Sequence, residues 1–313
     1  MGQRVLITGG AGFIGSHIAE RLTDDGYVVA VLDNLASGKR HQVPETAEFF
    51  ELDVTKDIHS AFASFRPDAV VHQAAQVSVS YSIKEPQFDA QTNILGSLNV
   101  IECCREFGVK KIVYASSAAS YGAIAELPLR EDMRPHPVSF YGMSKYTVEH
   151  CLRTAKTEWG IDWAALRYAN VYGPRQDPHG EAGVVAIFSN LLIDGKQPTI
   201  FGGGELTRDY VYVEDVAAAN AIALSMDLSS HPDPVFNVST GVPTSTNRVF
   251  ELVQQRIDPE IQPIMGPDRP GDVQHSLLDN SKFCTLTNWK PKTSIEDGFE
   301  RTADFFVNRE RSV

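Results

Sequence analysis

The sequence predicts an α/β fold, a doubly wound parallel sheet followed by a smaller mixed α/β C-terminal lobe. Three observations carry this. Short apolar runs alternate with helix-period stretches over the first half of the chain, a glycine cluster sits directly after the first run, and beyond about Tyr172 the elements shorten while prolines and glycines become frequent.

Residues 4–8 (RVLIT) form the first β-rich run, the glycine cluster follows, and a periodic stretch continues to about Asp25. Gly26 ends it, and YVVAVLD is a second run closing on Asp33. Two buried strands joined by a helix make a right-handed βαβ unit. FFELD is the next strand, a helix covers roughly residues 58–65, AVVHQAA is a strand, and one long helix covers about residues 86–107. KKIVYASS is a strand, a helix begins near Tyr141, and DWAALRYANVYG closes the series. VYVEDVAAANAIALS reads as a strand and helix returning to the main sheet. The expected organisation is a nucleotide-binding domain over residues 1–170 with a return segment near 210–238, and a lobe made of 171–209 and 239–313.

Composition limits the function. The chain has 313 residues, 28 Lys plus Arg against 40 Asp plus Glu, and a net charge of −12. That balance speaks against nucleic acid as the main partner, although a small phosphorylated ligand needs only a few local cations. Four sparse cysteines with no C-x-x-C pair suggest neither a disulfide framework nor a zinc site, and a reducing compartment is expected. No stretch approaches the ~18 apolar residues of a membrane helix, so no membrane partner is expected. The N-terminus runs straight into a strand without signal-peptide architecture. The expectation is a cytoplasmic protein. No His/Asp/Glu spacing suggests a metal; among His72, His136 and His179, His72 reads as a structural strand-end residue.

Gly10-x-Gly12-x-x-Gly15 joins the first strand to the first helix, with Gly9 offering a second register. Glycine is required because the backbone must turn tightly and approach a pyrophosphate, whose charge then meets the helix N-terminus. Asp33 lies 21 residues after Gly12, at the end of the second strand. A carboxylate there bonds both ribose hydroxyls and repels a 2′-phosphate, which favours NAD over NADP; the nearby Lys39-Arg40 pair is the feature that speaks for NADP.

Tyr141 and Lys145 stand four apart, on one helix face. A phenol with a pKa near ~10 is a poor base at neutral pH. Lowering it by ~3 units needs ~4 kcal/mol of differential interaction, which a lysine ammonium plus a positive nicotinamide ring can supply.

TGGAGFIG, Asp33, Asp53-Val54, HQAAQVSV, YASSAASYG, YGMSK and LRYANVYGPR together resemble the extended short-chain dehydrogenase/reductases, most closely the UDP-galactose (UDP-glucose) 4-epimerase branch. The resemblance runs nearly end to end. It implies a Rossmann-type domain holding NAD tightly and a lobe binding a UDP-sugar. By the same likeness, Gly9, Gly12, Phe13, Ile14, Gly15, Asp33, Asn34, Ser37 and Gly38 contact the cofactor, Asp53 and Val54 border its adenine, and Ala74, Ala75, Gln76, Asn93, Ser116, Tyr141, Lys145 and Tyr168 line its cleft. Ser117 falls on the family's catalytic Ser/Thr position, sharing the proton of the sugar O4 with Tyr141.

Ala118 and Ala119 occupy positions where 4,6-dehydratases carry an Asp-Glu pair, so the groups for elimination are missing. Arg208 and Arg269 are assigned to the substrate diphosphate, Asp272 to a ribose hydroxyl, Asn170 to the diphosphate or sugar, Phe201 to the uracil pocket, and Ser78 to the substrate. Arg175, in YGPR, is a further candidate. Ser276 stands where strict UDP-galactose/glucose enzymes hold a bulky Tyr, which implies a pocket open to N-acetylated sugars. The resemblance also implies a homodimer through a four-helix seam built from residues 86–107 and 140–159. The expected activity is a UDP-hexose 4-epimerase acting through a 4-keto sugar. A UDP-glucuronate 4-epimerase, another nucleotide-sugar oxidoreductase, and a non-catalytic NAD sensor are the alternatives.

Overall fold

A computed structural model describes residues 2–177, 183–268 and 273–310. Two compact units divide the chain. The first comprises the chain as far as Ile124, Glu131–Tyr168 and Val216–Asn237; the second comprises Ala125–Arg130, Ala169–Asp215 and the chain from Val238 onward.

The strands are β1 Arg4–Thr8, β2 Val28–Asp33, β3 Glu48–Glu51, β4 Ala69–His72, β5 Lys111–Ser117, β6 Asp162–Tyr168, β7 Asn170–Tyr172, β8 Thr199–Phe201, β9 Thr207–Tyr212, β10 Val235–Val238, β11 Pro243–Ser245 and β12 Ile264–Gly266. The helices are α1 Phe13–Asp24, α2 His59–Phe65, α3 Val79–Lys84, α4 Pro86–Asp89, α5 Gly96–Glu106, α6 Phe140–Trp159, α7 Val184–Ile193, α8 Val213–Ser225, α9 Thr246–Ile257, α10 Ser281–Thr287 and α11 Ile295–Glu310.

Seven strands form the principal sheet in the order β10-β6-β5-β4-β1-β2-β3. The pairings from β6 through to β3 are all parallel. This is the Rossmann-like α/β sheet that the alternating pattern predicts. Its central strands are apolar along their length because helices cover both faces; Val5, Leu6, Ile7, Ala30, Val31 and Val70 have no exposed surface. One continuous core joins Leu6, Phe62, Tyr114, Leu152 and Trp163. Truncating an aromatic there would cost about 3–5 kcal/mol. The strand order reverses between β1 and β4, so their C-terminal ends open the crevice in which open α/β sheets bind ligands.

Two sequence expectations need correction. The helix expected over residues 86–107 is interrupted: α4 and α5 are separated by a π-helical turn over Ala90–Leu95. Asn93 lies in that turn and its side chain is buried, which a regular helix pattern does not reveal. Also, the strand in VYVEDV does not return to the principal sheet. β9 pairs with β7 and β11 in a three-stranded sheet of the second unit, and β10 makes the return. The physical reason is aromatic packing: Tyr210 and Tyr212 of β9 lie against Tyr172, with ring centroids 6.2 and 5.6 Å apart, and Tyr172 packs on Phe299 at 4.6 Å. Among the described residues, no helix is long and apolar enough to cross a membrane.

His72 closes β4 and ties three elements together. Ser97 Oγ donates to Asn93 O at 2.5 Å, so it accepts from His72 Nε2 at 2.8 Å, and His72 Nδ1 then accepts from Thr8 Oγ1 at 2.6 Å. The ring is therefore a neutral tautomer, and burial pulls its pKa down to about 3. The unfolded chain binds a proton near pH ~6.5 that the folded protein refuses. The neutral ring's contribution is complete above that value and is lost as pH falls toward 3. Urea unfolding at pH 7 and at pH 4.5 is expected to show a loss of roughly 2 kcal/mol from this group; a His72→Gln variant, already less stable at pH 7, is expected to lose less over the same interval. Equal pH slopes in the two proteins would refute the assignment.

Candidate functional site

The turn after β1 is shaped by close approach. Gly9 has φ +69° and its N–H bonds Leu32 O at 2.8 Å, while a Cβ on Gly15 would stand 2.2 Å from Gly9 O. Only glycine fits at residue 15. Gly12 caps α1, and no side chain satisfies the helix's first N–H groups. Those of Phe13 and Ile14 have no acceptor within the helix and carry the positive end of its dipole. Asp33 is nearly buried at the end of β2: its Oδ2 accepts from Ala11 N at 3.0 Å and its Oδ1 from Leu35 N at 2.8 Å. Burial raises its pKa against those two bonds. The Asn34–Gly38 segment is drawn back over the glycine turn by Lys39 N, which bonds Ala11 O at 2.8 Å. Asn34 Nδ2 donates to Asp53 Oδ2 at 3.0 Å, and Val54 beside it is buried. A glycine cradle, an uncapped helix start and a fixed carboxylate at the second strand suit a dinucleotide lacking a 2′-phosphate.

Across the crevice, the loop after β4 is braced from within. Gln76 N donates to Asn93 Oδ1 at 2.8 Å, and Asn93 Nδ2 donates to Gln76 O, Asp89 Oδ1 and Ser144 Oγ at 3.0–3.1 Å. Asn93, expected to line the cleft, is bonded within the protein through its side-chain oxygen and nitrogen and braces the Ala74–Gln76 loop. Ser78, expected at the substrate, uses its hydroxyl to cap α3 by accepting from Tyr81 N. Ser116, expected at the cofactor, points to the opposite side of β5 from Ser117 and donates to Glu149 at 2.6 Å. The Tyr168 hydroxyl is buried and accepts from Asn220 Nδ2 at 2.8 Å and Gln73 Nε2 at 3.1 Å.

Ser117, Tyr141 and Lys145 come together as the sequence suggests. Ser139 caps α6 by accepting from Gly142 N at 3.0 Å, which starts the helix just before Tyr141. The Tyr141 phenol lies near the Ser117 hydroxyl, which acts to lower its pKa. Lys145 is buried, its Nζ donating to Ala115 O at 2.9 Å and lying 5.8 Å from the centroid of the Tyr141 ring.

The electrostatics differ from expectation. Tyr141 keeps part of its ring at the surface, but the dense surroundings of its hydroxyl push its pKa up to about 12, with Ser117 opposing. Burial brings Lys145 down to about 8. One ammonium N–H is given to a carbonyl, and burial, opposed by Ser117, holds the Tyr141 phenol above its ordinary value. Ala118 and Ala119 follow Ser117 and carry no proton-transferring group.

The second unit places Phe201, Arg208 and Ser276 as follows. Arg208 Nη1 donates to Thr207 O at 2.9 Å, and among the described residues no carboxylate pairs with its guanidinium. Ser276 N bonds Thr207 O at 3.1 Å, which sets it beside Arg208. Phe201 ends β8 with its ring close against Gly266 of the neighbouring β12. Asn170 is exposed at the start of β7, and Arg175 adopts φ +71°. Arg269, Asp272 and His179 lie outside the described residues.

Sequence reasoning missed Asp89, Ser144 and the buried Glu149–Arg167 pair. Glu149 stands four residues beyond Lys145, a spacing visible in the sequence; its partners come from other elements.

Gly142 marks how closely α6 approaches the Ser117 loop, since a Cβ there would fall 2.3 Å from Ala119 O. Helix propensity alone predicts that Gly142→Ala stabilises by ~1 kcal/mol. The backbone contact predicts the opposite sign, a loss of about 1–3 kcal/mol. Urea denaturation decides between them, and a stabilised variant would rule the contact out.

Comparison with known proteins agrees with this geometry. The model of the NAD dependent epimerase/dehydratase family matches residues 5–239. A UDP-glucose 4-epimerase of Mycolicibacterium smegmatis is 40% identical over 314 residues, covering 98% of this chain and 99% of that protein. Among solved structures, the UDP-glucose 4-epimerase of Thermotoga maritima with UDP-glucose superposes with a TM-score of 0.94 at 43% identity, covering 98% of this chain and 100% of that one. The UDP-glucose 4-epimerase of Thermus thermophilus in complex with NAD gives 0.90 at 44% identity, covering 97% and 99%. With a glycine turn after β1, a buried carboxylate at the end of β2 and a family match over three-quarters of its length, the chain belongs to the NAD dependent epimerase/dehydratase family.

Proposed function

We propose that the protein interconverts UDP-glucose and UDP-galactose by inverting C4 of the hexose. The nearness of Ser117 to Tyr141, with two alanines following Ser117, carries this reading: a phenol stands ready to move a hydroxyl proton, and neither alanine can help to expel water. The near full-length likeness to UDP-glucose 4-epimerases supports it.

Gly9, Gly12, Phe13, Ile14, Gly15 and Asp33 would hold NAD, with Asn34, Ser37, Gly38, Asp53, Val54, Ala74, Ala75 and Gln76 around it. When bound, the cofactor supplies reversible two-electron exchange with the C4 carbinol and a cationic ring beside the phenol. Tyr141 takes the O4 proton through Ser117 and returns it once the opposite face is presented. Lys145 holds positive charge near the phenol. Asn170, Phe201, Arg208, Arg269 and Asp272 would bind the UDP portion, so that binding energy sits on the nucleotide and leaves the hexose free to turn. There is no net redox change.

Ser276 favours one extension. A small side chain beside Arg208 leaves room for an acetamido group, so UDP-N-acetylglucosamine is a second substrate. The test is incubation with UDP-glucose, UDP-N-acetylglucosamine and UDP-glucuronate separately. Turnover is expected with the first two, and Tyr141→Phe is expected to lower kcat about 10²–10⁴-fold. Near-parental activity in that variant would refute the base, and no epimerisation of any UDP-hexose would refute the function.

The unpaired thiols of Cys103, Cys104, Cys151 and Cys284 agree with a cytoplasmic protein. We further propose a homodimer. The adjacent helices expose Phe88, Leu95 and Leu98 on one side and Phe140 and Met143 on the other, an apolar surface suited to a second copy. Sedimentation is expected to report a dimer that Leu95→Glu/Leu98→Glu dissociates; a monomeric parent at micromolar concentration would refute it.

A further inference from the structure

Glu149 is fully buried, and its carboxylate touches none of the reacting groups assigned above. It continues the face of α6 that carries Tyr141 and Lys145. Its Oε1 accepts from Ser116 Oγ at 2.6 Å and from Arg167 Nε at 2.9 Å, and its Oε2 accepts from Arg167 Nη2 at 2.7 Å. Ser116 immediately precedes Ser117, and Arg167 lies opposite Ser116 in the register of β5 and β6. The Arg167 guanidinium covers the Tyr121 ring at 4.5 Å, and the Tyr121 hydroxyl donates to Asn237 of β10 at 2.8 Å. A single carboxylate therefore joins the helix bearing the phenol, the strand bearing the serine and the next strand of the sheet.

A buried ion pair is a poor way to add stability, because desolvating the two charges consumes most of their attraction, and an apolar pair of similar volume often does as well. What the pair provides is direction. The planar guanidinium fork meets the carboxylate in one orientation, and the remaining lone pair is given to Ser116. Van der Waals packing alone would let α6 slide along β5 by fractions of an ångström, a scale that matters for proton transfer between Tyr141 and Ser117.

We propose that Glu149 is a positioning residue which, through Ser116 and Arg167, sets the approach of α6 to the end of β5 at which Tyr141 and Ser117 meet. This rests on the proposed role of Tyr141 and Ser117 as the proton-transferring pair.

The test compares the parent with Ser116→Ala, Glu149→Gln and the charge-free double variant Glu149→Leu/Arg167→Met. Two readouts are used: kcat and KM for epimerisation, and the Tyr141 Oη to Ser117 Oγ distance in crystal structures of each protein. The double variant is expected to melt no lower than the parent and to keep KM within about threefold, while kcat falls about 10–100-fold and the Tyr141–Ser117 distance lengthens by about 0.5 Å or more relative to the parent. Ser116→Ala and Glu149→Gln are expected to show the same kcat-selective loss to a smaller degree, and they decide the matter should the double variant not fold. Parental kcat with an unchanged distance in the folded variants would overturn the proposal. If the parent epimerises no UDP-hexose, the functional reading fails, and the crystallographic distance still decides the positioning role.

Discussion

Two side chains borne by different elements have to be brought together inside a packed protein, and several contacts of the first unit bear on that requirement. Tyr141 comes from the first turn of a helix and Ser117 from the last residue of a strand. Neither position is adjustable by rotamer alone. The helix is started by Ser139, pressed onto the Ala119 backbone at Gly142, bonded through Ser144 to Asn93, and bracketed by Glu149 to β5 and β6. Each device uses a different interaction, and together they leave α6 little freedom to slide.

The same burial that excludes water works against ionisation. It raises the Tyr141 phenol, lowers the Lys145 ammonium and lowers the His72 imidazole. Transfer to a low-dielectric interior penalises whichever form is charged, so an acid rises and a base falls. The buried Glu149–Arg167 pair stays charged at the cost of desolvating both groups, which their mutual attraction offsets.

The residues proposed for the cofactor and the chemistry and those proposed for the substrate fall in different units. The glycine cradle, Asp33, Ser117, Tyr141 and Lys145 all belong to the first unit, while Phe201, Arg208 and Ser276 belong to the second. Relatives that share the first set can therefore differ in substrate through the second. Ala118 and Ala119 belong to the first set by position, and they narrow the reaction by what they cannot do.

The sequence by itself determined the α/β alternation, the glycine turn, the acid closing β2 and the Tyr–Lys pair, because each is local: apolar runs, turn chemistry and an i,i+4 spacing are written within a few residues. Tertiary structure alone decided the rest. The π-helical turn that aims Asn93 at Gln76, the diversion of β9 to an aromatic cluster, the choice of Glu149 over open solvent for the Ser116 hydroxyl, and the rise rather than fall of the Tyr141 pKa all depend on partners tens of residues distant. Alternation along a strand reveals that Ser116 and Ser117 face opposite ways, but which face meets the helix is settled only when α6 docks. Desolvation likewise has no sequence signature, since it is a property of everything packed around a group and of nothing in the group itself.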